Sequence, residues 1–486
     1  MTATETTVRR LSFLNNGQWE NGSGALHPIT NPATGEMIAE VPYATAAEVD
    51  AIVHAAHEAF LKWRAVPVVD RVQVLYRYKA LLDRHHEELA RILTTENGKT
   101  FEDAKLEVRR AIQMVEVACG MPSLMMGDSL PDVSPGIDSI TIRQPLGVVA
   151  GITPFNFPSM VPMWMFPFAI ACGNSFVLKP SEKVPMSPTR TAELLQEAGL
   201  PAGVYNLVHG DKVAVDALLR HPLVRAVSFV GSTPVAKYIY STAAAEGKRV
   251  QALGGAKNYL VVMPDAQLEK SVEAIMSSAF GAAGERCLAG SVLVPVGSVA
   301  EPLLDLLVRK TKAMKIGDGI QPGIDMGPVV TADHCKRVTG YIEKGVAEGA
   351  APLCDGRESE PHTGGFFVGP TIFDHVSPEM TIAREEIFGP VLSVIRVDTL
   401  DDALKLVNSS PFGNTSSIFT SSGKSAREYA NRVEAGMIGV NIGVAAPMAF
   451  FPFSGWKNSF FGDLHAHGKD AVAFYTEQKV IMNRWF

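Results

Sequence analysis

Cysteine is scarce in this chain of 486 residues: there are five, Cys119, Cys172, Cys287, Cys335 and Cys354, and no two are spaced Cys-x-x-Cys. That excludes a disulfide framework and the usual structural zinc spacing, so no metal centre is expected and a reducing compartment fits best. The N-terminal "MTATETTVRRLSFLNNGQW" lacks the apolar core of a signal peptide, which points to a cytoplasmic protein. No Lys/Arg-rich run or basic amphipathic helix is present and the formal net charge is −7, which argues against a nucleic-acid partner. No tandem repeat or low-complexity segment appears. The Gly-x-Gly-x-x-Gly fingerprint follows no predicted strand, because "GDGIQPG" is a loop with the wrong spacing. Charge itself is missing from Gln144 to Leu178. Such a run invites a membrane reading, but Pro145, Pro154, Pro158, Pro162 and Pro167 would remove helical hydrogen bonds where no water replaces them. The expectation is a buried strand, "LGVVAGITP", then a loop and a buried helix.

What remains is an ordinary globular composition, 47% hydrophobic and 20% charged. The length exceeds what one hydrophobic core organises, so at least two domains are expected. Helical periodicity in "TAAEVDAIVHAAHEAFLKWRAV", and in "RVQVLYRYKALLDRHHEELARILTTENGK" read as one helix, alternates with strands such as "VRAVSFVGS". Strand-helix alternation implies a parallel, doubly wound sheet. A second series, "YLVVMP", "SVLVPVGS", "EPLLDLLVRKTKAMK", "LSVIRV" and "LDDALKLVNSS", indicates a second α/β domain. Strand-like "DSITIRQPLG" and the C-terminal "AVAFYTEQKVIMNRWF" fit neither series. The terminal strand needs a covering partner, and a neighbouring subunit is one candidate.

Four short motifs hold chemically informative residues: Asn156 in "TPFNFP", Lys179 in "VLKPSE", Cys287 in "GERCLA" and Glu386 in "EEIFGPV". Cys287 follows Gly281, Gly284 and Glu285, and a glycine-bracketed thiol suits an exposed nucleophile. Taken alone it would more often be a small buried hydrophobe. Asn156 could place its amide, with the Cys287 backbone N–H, on a tetrahedral oxyanion; alone it could equally form an Asx-turn. Lys179, Ser181 and Glu182 end a predicted strand, where α/β folds commonly bind nucleotides, although any one of them could be a solvated strand end. Ser232 and Thr233 precede a helix whose N-terminal amides suit a pyrophosphate, or simply cap it. On its helix Arg109 shares a polar face with Glu102, Lys105 and Glu116. Arg110 instead falls in a row with Leu106, Met114 and Val117, inside the apolar stripe. An inward guanidinium requires an anion, from the protein or from a substrate, and Arg286 could form the second half of such a clamp.

These motifs, in this order and spacing along essentially the whole chain, resemble the aldehyde dehydrogenase superfamily. Within it "PFNFPSMVPMWMFPFAIACGNSFVLKPSE", "KRVQA", "GAKN", "VVMPDA" and "FYTEQK" are similar to the CoA-acylating, methylmalonate-semialdehyde branch. The resemblance implies an NAD-binding domain (1–122 and 144–253), a catalytic domain (254–455) and a small β oligomerisation domain (123–143 and 456–486). A homo-oligomer is implied, a tetramer ahead of a dimer. It assigns Cys287 as nucleophile and Asn156 to the oxyanion hole. Thr153, Phe155, Lys179, Glu182, Lys183, Ser232, Gly254, Glu386 and Phe388 would contact NAD, and Arg110 and Arg286 the substrate carboxylate. Where hydrolytic members carry a general-base glutamate, this chain has Leu253, and the acylating branch typically has asparagine. An apolar side chain cannot take a proton from water, so transfer of the acyl group to coenzyme A is expected. The alternatives are a hydrolytic semialdehyde dehydrogenase and a catalytically silent protein on the same fold.

Overall fold

The computed structural model describes residues 8–358 and 364–486. The first seven residues of the segment read as no leader lie outside them. The charge-free run resolves as expected into the strand Val148–Ile152, a loop, the helix Met160–Cys172 and the strand Ser175–Lys179, every residue of the two strands buried. Among the described residues no helix is long and apolar enough to cross a membrane.

Parallel strands dominate because helices cover both faces of each sheet. The first sheet runs, edge to edge, Phe460–Phe461, Arg249–Leu253, Val224–Val230, Val148–Ile152, Ser175–Lys179, Tyr205–Leu207, Phe13–Asn15 and Gln18–Glu20. Its five strands from Arg249–Leu253 to Tyr205–Leu207 are mutually parallel, and the flanking strands are antiparallel. The second runs Ala351–Cys354, Thr371–Asp374, Val391–Val394, Gly290–Pro295, Asn258–Val262, Thr415–Phe419 and Met437–Val440, parallel except at its first edge. A third, antiparallel sheet joins Ser129–Ser134, Ile137–Pro145 and Thr476–Arg484.

Two expectations need correcting. The segment read as one long helix is two, Val68–Arg84 and His86–Asn97, broken at His85, whose φ of −98° and ψ of 16° leave the helical region. Apolar periodicity continues across the break, so the pattern hid it. The C-terminal segment begins as a helix, Gly468–Phe474, and only then becomes a strand. That strand pairs with Ile137–Pro145 of the same chain over nine residues, so its ladder partner is internal. Arg249 fastens the junction: its Nη1 donates to the carbonyls of Ala473, Phe474 and Thr476 at 2.8–2.9 Å, and its Nη2 meets Glu477 at 2.6 Å. Val480, Met482, Trp485 and Phe486 remain exposed.

Candidate functional site

The C-terminal ends of the parallel strands open into one cleft of about 1600 Å³. Its walls hold Thr153, Phe155, Asn156, Lys179, Glu182, Lys183, Ser232 and Gly254 from the first sheet's side. Cys287, His334, Glu386 and Phe388 face them from the second. Every expected site residue is therefore brought to one place except Arg110 and Arg286.

Cys287 lies between a 3-10 turn, Gly281–Gly284, and the strand Gly290–Pro295. Its carbonyl oxygen accepts two side-chain amides, Asn258 Nδ2 and Asn414 Nδ2, both at 2.9 Å. Burial and the Glu386 carboxylate push the Cys287 thiol up to about 12, opposed by the backbone N–H groups of Cys287 and Leu288 and by Arg286. The resting nucleophile is thus a neutral thiol. Asn156, 5% exposed, donates from Nδ2 to the Glu285 carbonyl at 2.9 Å, which leaves its second N–H free. Glu285 itself is buried and pushed up to about 8 by desolvation, so at pH 7 it is mostly protonated.

Lys179 Nζ pairs with Glu182 at 3.1 Å. Burial pushes the Glu182 carboxyl up, but Lys179 and the neighbouring hydrogen bonds outweigh it and hold the group below the usual range. Lys183 Nζ stands 4.7 Å above the Phe155 ring. Phe155 in turn meets Phe388 edge-on at 5.7 Å. Phe388 has a positive φ of 60°, held by His334, whose Nε2–H donates to the Phe388 carbonyl at 2.7 Å. Burial lowers His334 to about 4, so it is a neutral donor. Glu386 accepts the Ala256 N–H at 2.9 Å, and a Cβ on Gly255 would sit 2.2 Å from Glu386 Oε2. A larger residue at 255 would push that carboxylate aside.

Leu253 ends the strand Arg249–Leu253 and is 4% exposed, in a core cluster with Leu288 against which Cys287 packs. No carboxylate occupies that position. The arginines differ from expectation. Arg110 is half-buried: of the row it was placed in, Met114 and Val117 are buried as expected, but Leu106 is 65% exposed, so Arg110 lies at the edge of the apolar stripe and not within it. Arg110 Nη1 meets Gln113 Oε1 at 3.2 Å and lies against Met448 Sδ at 2.7 Å. Arg286 already has a protein carboxylate, Asp103, at 2.7 Å. Asp103 and Arg110 are seven residues apart and so share one side of the helix Phe101–Cys119.

Sequence reasoning missed His334, Asn258, Asn414 and Asp103, each brought in by long-range folding. Among the described residues one group has metal-type spacing, Asp50, His54 and His221, and it lies outside the cleft. His221 Nδ1 accepts the Leu223 N–H, which places its ring proton on Nε2 facing Asp50, a hydrogen-bonded cluster and not a ligand set.

The sequence pattern of the aldehyde dehydrogenase family matches residues 19–481. The chain belongs to the aldehyde dehydrogenase family. This dehydrogenase is 55% identical over 482 residues to malonate-semialdehyde dehydrogenase 2 of Geobacillus kaustophilus, covering 99% of this chain and 100% of that one. It is 53% identical to the malonate-semialdehyde dehydrogenase of Halalkalibacterium halodurans over 480 residues, 99% of each. Among solved structures, methylmalonate-semialdehyde dehydrogenase from Oceanimonas doudoroffii superposes with a TM-score of 0.97 at 49% identity, covering 98% of this chain and 99% of that one. A proposed methylmalonate-semialdehyde dehydrogenase from Sinorhizobium meliloti 1021, complexed with NAD, also gives 0.97, at 46% identity with 99% and 98% covered.

Proposed function

We propose that this dehydrogenase oxidises malonate semialdehyde, methylmalonate semialdehyde or both, with NAD as hydride acceptor and coenzyme A as acyl acceptor. The observation that carries the acylating part is Leu253: where hydrolytic members carry a general-base glutamate this chain has a buried leucine, which cannot activate water. The semialdehyde is supported by the relatives named above and by Arg286, which lines a small hollow together with Cys287.

The cleft fits NAD. Thr153 Oγ1 is buried with no partner, and the helix Thr233–Ala245 begins at Ser232 with no side-chain cap, leaving N–H groups for a pyrophosphate. Lys179 and Glu182 would hold the adenosine ribose, Glu386 the other ribose, and Phe388 the nicotinamide end, with Phe155, Lys183 and Gly254 alongside. When bound, NAD takes the hydride from the substrate carbon.

The chain supplies the rest. Cys287 Sγ bonds to the aldehyde carbon as its proton passes to water in the open cleft, and the carbonyl oxygen becomes an alkoxide held by the free Asn156 N–H and the Cys287 backbone N–H. Loss of hydride from the same carbon leaves a thioester on Cys287. Arg110 and Arg286 hold the substrate carboxylate, Arg286 sharing its guanidinium with Asp103. The β-carboxylate of the thioester leaves as carbon dioxide, the α-carbon keeps the electron pair and takes a proton from water, and the thiol of coenzyme A then takes the acyl group as its proton passes to the departing Cys287 sulfur, releasing acetyl-CoA or propionyl-CoA. The domains follow the boundaries implied by the family resemblance. Oligomerisation runs through the three-stranded antiparallel sheet, whose exposed Val480, Met482, Trp485 and Phe486 offer an apolar surface.

A second reading, hydrolysis to the free acid, rests on Glu386, the carboxylate close enough to raise the Cys287 thiol. Steady-state NADH formation with each semialdehyde, with and without coenzyme A, decides between them. Rapid turnover without coenzyme A, yielding free acid, favours hydrolysis.

A further inference from the structure

The loop that carries Asn156 is held from outside the cleft by a fully buried ion pair. Lys99 Nζ lies 2.5 Å from Glu107 Oε2, and both side chains are at most 1% exposed. Such a pair is expensive to desolvate, and an apolar pair of similar shape would often be as stable. The remaining hydrogen-bonding capacity of both groups is spent on one stretch of chain. Lys99 Nζ donates to the Asn156 carbonyl at 2.7 Å and stands 4.6 Å above the Phe157 ring. Glu107 Oε1 accepts the N–H groups of Ser159 and Met160 at 2.9 and 3.1 Å. Asn97 Nδ2 donates to the Phe155 carbonyl at 3.0 Å.

Glu107 also replaces a missing cap. The helix Met160–Cys172 has no acidic residue in its first turn, and Ser159 gives it no side-chain bond because its hydroxyl is turned to Ser187 at 2.6 Å. The carboxylate therefore supplies the negative charge that a helix N-terminus favours. Lys99 reaches inward because Gly98 ends the preceding helix at a φ of 89°. The pair thus fixes the backbone at Asn156 and just after it, while Asn97 fixes it just before.

We propose that Lys99 and Glu107 are positioning residues for Asn156: they aim its free N–H at the site where the aldehyde oxygen becomes an alkoxide. This rests on the assignment of Asn156 to the oxyanion. The test is the pre-steady-state rate of NADH formation with propanal and NAD, without coenzyme A, which does not depend on which semialdehyde is the substrate. Lys99→Met should slow that rate about 10- to 100-fold, as misplacement of a catalytic group does. NAD affinity, followed by fluorescence, and the rate of Cys287 alkylation by iodoacetamide should stay within about twofold. In an Asn156→Ala background the same substitution should change the rate by less than about threefold, because the group it positions is gone. Glu107→Gln, which keeps the shape, should show the same pattern. An unchanged rate in folded Lys99→Met, equal losses in both backgrounds, or failure of both variants to fold would overturn the proposal. Wild type with no NADH burst would instead defeat the reading of the site, and this proposal with it.

Discussion

Replacing Leu253 by glutamate restores a carboxylate where this chain has none, and the structure sets what that carboxylate can do. Glu285, 3% exposed, is pushed up to about 8 by desolvation, and a glutamate at position 253, where the leucine is 4% exposed, should titrate in the same range. A carboxyl raised from about 4.3 to about 8 favours the folded state while protonated, so its contribution is lost as pH rises through that window. The loss is about 1.4 kcal/mol per pH unit, or roughly 3–4 kcal/mol at pH 7, on top of the lost leucine packing. Leu253→Glu should therefore be less stable than wild type by an amount that grows from about pH 4.5 to 8. At pH 7 about one carboxyl in ten is ionised, and at pH 8 about half, so any water activation should rise about fivefold between them. In stopped flow without coenzyme A, wild type should give one NADH per active site and then turn over slowly. Leu253→Glu should add a steady phase that grows toward pH 8, with free acid as product. Fast wild-type turnover without coenzyme A, or a steady phase in the variant independent of pH between 6 and 8, would refute the reasoning.

Cys287→Ala should abolish turnover yet leave NAD titration unchanged. In wild type without NAD, iodoacetamide alkylation of Cys287 should rise about tenfold per pH unit from 7 to 9, because a thiol pushed up to about 12 is nowhere near half ionised there; a plateau below pH 8 would contradict it. NADP should be a poor substitute for NAD, since Glu182 is held ionised by Lys179 and would repel a 2′-phosphate; comparable kcat/KM values would remove that role. Arg110→Leu should raise KM for carboxylated semialdehydes by about 1.5–3 kcal/mol and leave propanal nearly unchanged, the penalty of losing a charged hydrogen bond. Equal effects on both substrates would make Arg110 structural.

Local pattern carried the sequence reading furthest where a motif and its neighbours in sequence form one unit. The punctuated run from Gln144 to Leu178 gave its strand, loop and helix, and Cys287, Asn156, Lys179 and Glu386 all reach the cleft. Periodicity failed where backbone geometry, not polarity, ends an element, as at His85. On the helix Phe101–Cys119 it set Leu106 in one apolar row with Met114 and Val117, and of these three only Leu106 turns out to be exposed. The partners of the site were not legible. Asn258, at the start of a strand, and Asn414, at a bend just before another, meet at the Cys287 carbonyl from places far apart in sequence, and nothing local in "FGNTSS" says so.

Arg249 and Leu253 bracket a single five-residue strand, so about 13 Å of stiff backbone separates the grip on the C-terminal segment from the wall of the cleft. Like a beam clamped at one end, that strand transmits load. A change at Ala473–Glu477 that frees Arg249 should therefore be felt at Gly254, the cleft-lining residue that follows the strand, about 30 residues before Cys287 in the chain.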